Sequence, residues 1–286
     1  MFITIAASVL TTLALQQTDT TVTVRPGGRL ELDNFEGSIT ITVWNRNAVR
    51  VEASHGSRDE VEVEVSGPVV TVRGTGRHGS ASVDYRITVP AAMDLSLSGQ
   101  SGDITVEGTT GEVSVETVEG NITVQGGSGF ISLHSVEGEI RLERASGRID
   151  LNSVDGDITL ADAAGEIRAE TVDGEIELTR IDSPEVEART VDGNISYEGK
   201  IREKGRYRFA SHDGDVSIAV PELNAAVSVS TFSGEFESDF PVTLSSTKPG
   251  RRLSFTLGAG SARLELESFD GTIRIRKVGG KVRSEK

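Results

Sequence analysis

Residues 135–160 read SVEGEIRLERASGRIDLNSVDGDITL, and the fold is decided within them. The stretch opens on Ser135-Val136-Glu137-Gly138 and returns to the same pattern at Ser153-Val154-Asp155-Gly156. Between the two, Gly147 marks a second corner without an acidic residue before it. After each glycine the residues alternate: Gly147 is followed by Arg148, Ile149, Asp150 and Leu151, and Gly156 by Asp157, Ile158, Thr159 and Leu160. Apolar residues at every second position mark a strand with one buried face.

Outward from this stretch the pattern persists. Thr117-Val118-Glu119-Gly120 precedes it. Thr171-Val172-Asp173-Gly174, Thr190-Val191-Asp192-Gly193, Ser211-His212-Asp213-Gly214 and Ser268-Phe269-Asp270-Gly271 follow. Thr231-Phe232-Ser233-Gly234 is a degenerate copy, and Asn34-Phe35-Glu36-Gly37 an early cousin. Gly102, Gly120, Gly138, Gly156 and Gly174 are spaced by 18 residues, with Gly111, Gly129, Gly147 and Gly165 midway. The repeat is therefore an 18-residue unit of two unlike halves, and a fixed period of this size denotes a stacked array.

An antiparallel meander is the competing architecture, because Asp-Gly between alternating runs is a hairpin signal. Only one of the two turn series carries it, and a meander leaves an apolar face uncovered. The reading adopted is an all-β, parallel β-solenoid (a single-stranded β-helix) of two-strand coils. Ile140, Ile149 and Ile158, with Leu142, Leu151 and Leu160, form its spine. The corner glycines Gly102, Gly120, Gly138, Gly156, Gly174, Gly193, Gly214, Gly234 and Gly271 are read as structural turns that a Cβ would oppose. The Ser/Thr before them is expected to bond local backbone, and the apolar residue after it to fill the bend.

Departures from the period, such as Ser183-Pro184, GKIREKG (199–205) and VPELNAA (220–226), fall at corners, where solenoids tolerate insertions. The expected organisation is a leader segment over 1–16, an N-terminal β region over 20–98 covering the first coil, coils over 99–280, and a basic tail over 281–286. A hairpin-like insertion is expected near 240–262, turning at Lys248-Pro249-Gly250.

Composition bounds the function. The 286 residues carry a net charge of -15, which opposes a nucleic-acid partner, since binding phosphates needs clustered Lys and Arg. Hydrophobic content is 36% with 32 glycines, which suits a thin, elongated core with many turns. Cysteine is absent, so disulfides, thiolate metal sites, cysteine nucleophiles and a cysteine-linked lipid anchor are excluded. Residues 2–15 are uncharged and apolar or small, too short to span a bilayer as a helix, and read as a signal-peptide core. No later segment suits a transmembrane helix.

The runs SGDITVEGTTGEVSVETVEGNITV (101–124) and VDYRITVPAAMDLSLSGQSGDI (83–104) resemble the bacterial putative-adhesin domain family over about residues 30–280. The resemblance implies an envelope protein built of Gly-Asp-Ile-type β repeats, some of whose relatives are linked with envelope stress. It carries over no catalytic residues.

The chemistry of the chain points the same way. His55, His78, His134 and His212 show no ligand spacing, and no Gly-x-Ser-x-Gly elbow is present. Carboxylates recur in every repeat, as a turn motif does. Calcium-binding nonapeptide rolls share an 18-residue coil but require Gly-Gly-x-Gly-x-Asp, which these repeats lack. A looser acidic ladder remains as a candidate calcium site: Glu119, Glu137, Asp155, Asp173, Asp192 and Asp213, with Glu139, Asp157, Glu175 and Asp215 after the glycines. The alternative is a solvated acidic edge. The basic run RIRKVGGKVRSEK (274–286) reads as a last strand and tail.

The expectation is an exported, non-catalytic envelope protein in the periplasm, at the surface or secreted, binding an envelope glycan or protein. A polysaccharide-active β-helix enzyme and a polymer-forming structural protein are the alternatives.

The alternation makes a direct prediction. Leu151→Asp places an unpaired carboxylate in the apolar column and costs several kcal/mol, whereas Thr159→Asp, on the outward phase, costs far less. Thermal melts of the two variants check it, and equal losses would mean the strand phase is wrong.

Overall fold

The computed structural model describes residues 16–76, 81–242, 246–247 and 252–278. Residues 1–15 of the leader segment, the Lys248-Pro249-Gly250 turn and the tail 281–286 lie outside the described residues. Gln16, the last residue assigned to the leader, opens the strand Gln16–Thr23. Among the described residues every helix or strand element is a strand.

The strands form two sheets, one of 13 and one of 14. In a representative coil, Ser146–Asn152 lies in the larger sheet and Ile158–Ala161 in the smaller, with the acidic corner between them. The next coil, Ala164–Glu170 and Ile176–Ile181, lies parallel and in register: Ile149 pairs with Ile167, and Ile158 with Ile176. The inward phase of both sheets makes one continuous core. Ile122, Ile140, Ile158, Ile176 and Ile195 form a single column, and none is more than 1% exposed. Leu151 and Leu160 are fully buried.

The column's residues change in size toward the C-terminal coils. Tyr197 takes the register of Leu178, and the same coil carries only Ala188 on the opposite sheet. Phe209 follows Ala188 in register, and its ring lies 5.1 Å from that of Tyr197. A large residue on one sheet thus meets a small one on the other within the coil of Ala188 and Tyr197, and the next coil's Phe209 packs on that tyrosine. The tyrosine hydroxyls find partners at the insertion GKIREKG and the Ser183 corner: Tyr197 donates to the Lys200 carbonyl at 2.9 Å, and Tyr207 accepts the Arg202 N–H at 2.8 Å and donates to the Ser183 carbonyl at 2.6 Å.

Coil order in space departs from chain order at both ends. The first coil, Arg29–Glu36 and Ile39–Trp44, lies between Asp94–Ser101/Ile104–Thr109 on one side and Val69–Thr75/Val83–Pro90 on the other. At the other end, Ala262–Asp270 and Ile273–Lys277 slot between Arg206–Asp213/Val216–Val220 and Ala225–Thr231/Phe236–Ser238. Each outer coil is then covered by antiparallel strands. Ala48–His55 and Glu60–Ser66 cover one end, and Arg252–Leu257 the other. Gln16–Thr23 and Ser246–Thr247 lie outside these. Setting aside two antiparallel strands in the smaller sheet and three in the larger leaves eleven in each, hence eleven coils among the described residues. At about 4.8 Å per step they make a rod roughly 50 Å long.

Residues 20–98 therefore supply two coils besides covering strands. The early corner explains this: Asn34 is buried, and its amide donates at 2.9 Å both to Gly37 and to Val83 of the neighbouring coil. The pattern marks a coil but not its place in the stack.

Asp215 fastens the inserted last coil. Its carboxylate accepts the backbone N–H of Thr272 at 2.7 Å and faces the Arg274 guanidinium at 2.5 Å. The N–H bond, aided by Arg274 and opposed by partial burial, holds this carboxyl below its ordinary value of 3.8. A depressed folded-state pKa contributes stability that is complete above the unfolded value and is lost as pH falls through the folded one. Melting temperature should accordingly fall on acidification below about pH 4, and Asp215→Asn should flatten that acid limb while lowering stability at neutral pH. A pH series of thermal melts on both proteins checks this.

Candidate binding groove at the acidic corner

The corner is built the same way on each coil. Its Ser or Thr is buried, and on most coils the hydroxyl reaches down the stack; Thr117 and Thr190 reach the carbonyl two residues on in their own turn, at 3.4 and 3.3 Å. Thr171 donates to the Gly156 carbonyl at 3.1 Å, Ser211 to Gly193 at 2.8 Å and Ser268 to Gly214 at 2.9 Å. On these coils the hydroxyl thereby reaches the carbonyl of the glycine on its neighbour. The residue after the hydroxyl points the other way. Val154, Val172, Val191, Phe232 and Phe269 are 42–51% exposed. The expectation that this apolar residue fills the bend is thus corrected: the buried Ser/Thr occupies the inward phase, and strand alternation turns the next side chain out.

The six acids of the ladder stand next on the outside. Glu119 pairs with Glu137, Glu137 with Asp155, Asp155 with Asp173, Asp173 with Asp192, and Asp192 with Asp213, on successive coils. Asp270 extends the column. They line up without converging: among the described residues no three of His, Asp and Glu are grouped to hold a metal ion. Several residues after the glycine have a structural task. Asp157 accepts the backbone N–H of Glu175 at 2.7 Å, and Asn194 that of Asp215 at 2.9 Å. Glu139 and Glu175 are exposed.

The stacked apolar residues form a ridge along the solenoid axis. Near the C-terminal end it becomes aromatic: Phe232 and Phe269 stack with centroids 4.6 Å apart, and His212 lies 4.7 Å from Phe269. On the side away from the acids, the ridge walls an open groove of about 840 Å³. The facing wall is a second outward column, in which Asn152, Glu170, Arg189, Ala210, Glu267 and Ser230 follow one another in register. Its charges are compensated within the wall: Arg189 pairs with Glu187 and lies 3.9 Å from Glu170, and Glu267 is 3.4 Å from Arg208 and 3.8 Å from Arg252. The groove is therefore amphipathic, with one apolar wall and one polar wall.

A family model matches residues 6–276. The chain belongs to the Toastrack DUF4097 family. Among solved structures, this Toastrack chain is similar to a putative adhesin from Parabacteroides distasonis, at 11% identity and a TM-score of 0.52, with 91% of this chain and 97% of that one covered. A putative adhesin from Bacteroides fragilis aligns at 14% identity and a TM-score of 0.42, over 92% and 98% of the two chains. No curated protein matches.

Sequence reasoning placed the acidic column and missed the ridge and groove beside it. The signal was present. Leu151, Asn152, Ser153 and Val154 alternate without a break once Ser153 is counted as inward, and Val154 is then an outward residue.

Like charges one coil apart, at about 4.8 Å, lie well within a Debye length of about 8 Å. Replacing Asp155, Asp173 and Asp192 by Asn should raise the melting temperature at low ionic strength, with the gain shrinking as salt is added. A salt series on the triple variant checks it, and a gain independent of salt would assign the effect to something other than repulsion.

Proposed function

We propose that this Toastrack protein is exported, and that it works without catalysis as a binding or scaffolding protein of the bacterial cell envelope, in the manner of an adhesin. The observation that carries the reading is the exposed ridge with its groove. A continuous apolar column on an otherwise charged surface is the mark of an interaction site. The leader-like run of residues 2–15 supports export. The name of the Parabacteroides structure supports an adhesive role.

Fractionation of bacteria producing the full chain with a C-terminal epitope tests the reading. The protein is expected in the periplasm, envelope or medium, shortened at its N-terminus. Retention in the cytoplasm at full length would end the envelope assignment.

A further inference from the structure

We propose that the groove binds a linear, uncharged oligosaccharide lying along the solenoid axis, about one pyranose to each coil. This names the ligand class of the binding face and rests on the envelope reading above. Three observations carry it.

The first is the amphipathic cross-section. A pyranose has an apolar face of C–H bonds and a rim of hydroxyls. The groove offers Val191, Phe269 and Phe232 on one wall, and Glu170, Arg189 and Glu267 on the other. A sugar can lay its apolar face on the ridge and its rim against side chains that both donate and accept.

The second is the repeat. Polar side chains recur once per coil, about every 4.8 Å, a step nearer to that of one pyranose in a chain than to an extended peptide's advance of about 3.3 Å per residue. The floor of the groove runs past Thr171, Thr190 and Ser211; the strands of Thr190 and Ser211 are already paired on both sides, and Thr171 donates its N–H to the Arg189 carbonyl, so it offers a peptide no free ladder to join. That favours the sugar over a peptide added as a strand.

The third is the hollow at Ala210. Every other position of the polar wall from Asn152 to Glu267 carries a longer side chain. Ala210 stands between Arg189 and Glu267 on adjacent coils and leaves a recess opposite His212 and Phe269. The ion pairs of the wall compensate one another, and the acidic column lies just across the ridge. An anionic glycan meets repulsion there without a spare cation to bind, and a neutral one meets neither cost.

Titration calorimetry of the full chain tests this with three probes: cellohexaose, the N-acetylglucosamine hexamer, and hexagalacturonate. At least one neutral hexamer is expected to bind with Kd below about 1 mM, and its dimer more weakly because it spans fewer coils. Hexagalacturonate should bind at least tenfold more weakly. Ala210→Arg fills the recess from an outward position and should weaken binding at least tenfold with an unchanged circular dichroism spectrum. Phe269→Ser should do likewise and serves if Ala210→Arg fails to fold. The proposal falls if neither neutral hexamer binds, if hexagalacturonate binds as well, or if both folded variants keep full affinity. Capture of an envelope protein by a chain that ignores all three sugars would overturn the ligand class and leave the envelope reading intact. Cytoplasmic retention with sugar binding preserved would do the reverse.

Discussion

Each corner rests on a contact from which the side chain is missing. At Gly156 a Cβ would overlap the backbone carbonyl of Gly138 on the neighbouring coil, and φ is +156°, a region that side-chain-bearing residues rarely adopt. Without the Cβ, the two coils close to ladder distance at the bend, and the N–H of Gly156 reaches the Asp173 carbonyl at 2.9 Å. Everything lateral follows. Close stacking at the corner keeps both sheets in step, so isoleucine lies on isoleucine inside and valine on valine outside. A displaced corner would put each side chain on the wrong neighbour or the wrong face. The buried hydroxyl completes the same contact by satisfying the glycine carbonyl of the coil beside it, which water cannot reach from within the core.

Alternation and the glycine period made the architecture legible from residues alone. The Ile column and the burial of Leu151 and Leu160 are direct consequences of a pattern any reader of 135–160 can see. Two features were not legible for physical reasons. The corner hydroxyl was expected to bond local backbone, as Thr117 and Thr190 do; the further acceptor, a glycine carbonyl on the neighbouring coil, was not seen, because only stacking creates that separation. The valine after it was taken as filling the bend, because hydrophobicity was weighed above phase. The buried Ser or Thr is small and satisfied, so it can hold an inward position and leave the larger apolar neighbour outside. The groove went unseen for the same reason: its walls are columns, and a column depends on residues 18 or more apart.

The ends obey a further constraint. A solenoid that simply stopped would expose a sheet edge in each layer. At the C-terminal end the chain lays an outer coil, folds antiparallel strands over its larger-sheet edge, and places another coil inside it; at the N-terminal end the order along the chain is inner coil, covering strands, outer coil. At the C-terminal end Ile273–Lys277 pairs on both sides, with Val216–Val220 and Phe236–Ser238. Such a coil cannot fray independently, since losing it would part the coils on either side. Its order is invisible in the repeat, because the motif is identical whether coils follow one another or interleave. The ion pair from Asp215 to Arg274, with that from Arg208 to Glu267 and the ring contact of His212 with Phe269, ties this coil to a neighbour that is not the next in sequence.

The exposed ridge raises a question of solubility that the acidic column answers. A run of half-exposed valines and phenylalanines on a rigid rod invites association, ridge against ridge, between copies of the chain. Each copy carries beside its ridge a line of carboxylates one coil apart, within a net charge of -15. Bringing two ridges together brings two such lines within a Debye length, and the repulsion acts along the whole length of the contact. The same field does not oppose a ligand without charge. The acids therefore act as a selector more than as a site: they keep the apolar wall open against its own kind and against polyanions, and leave it free for a neutral partner.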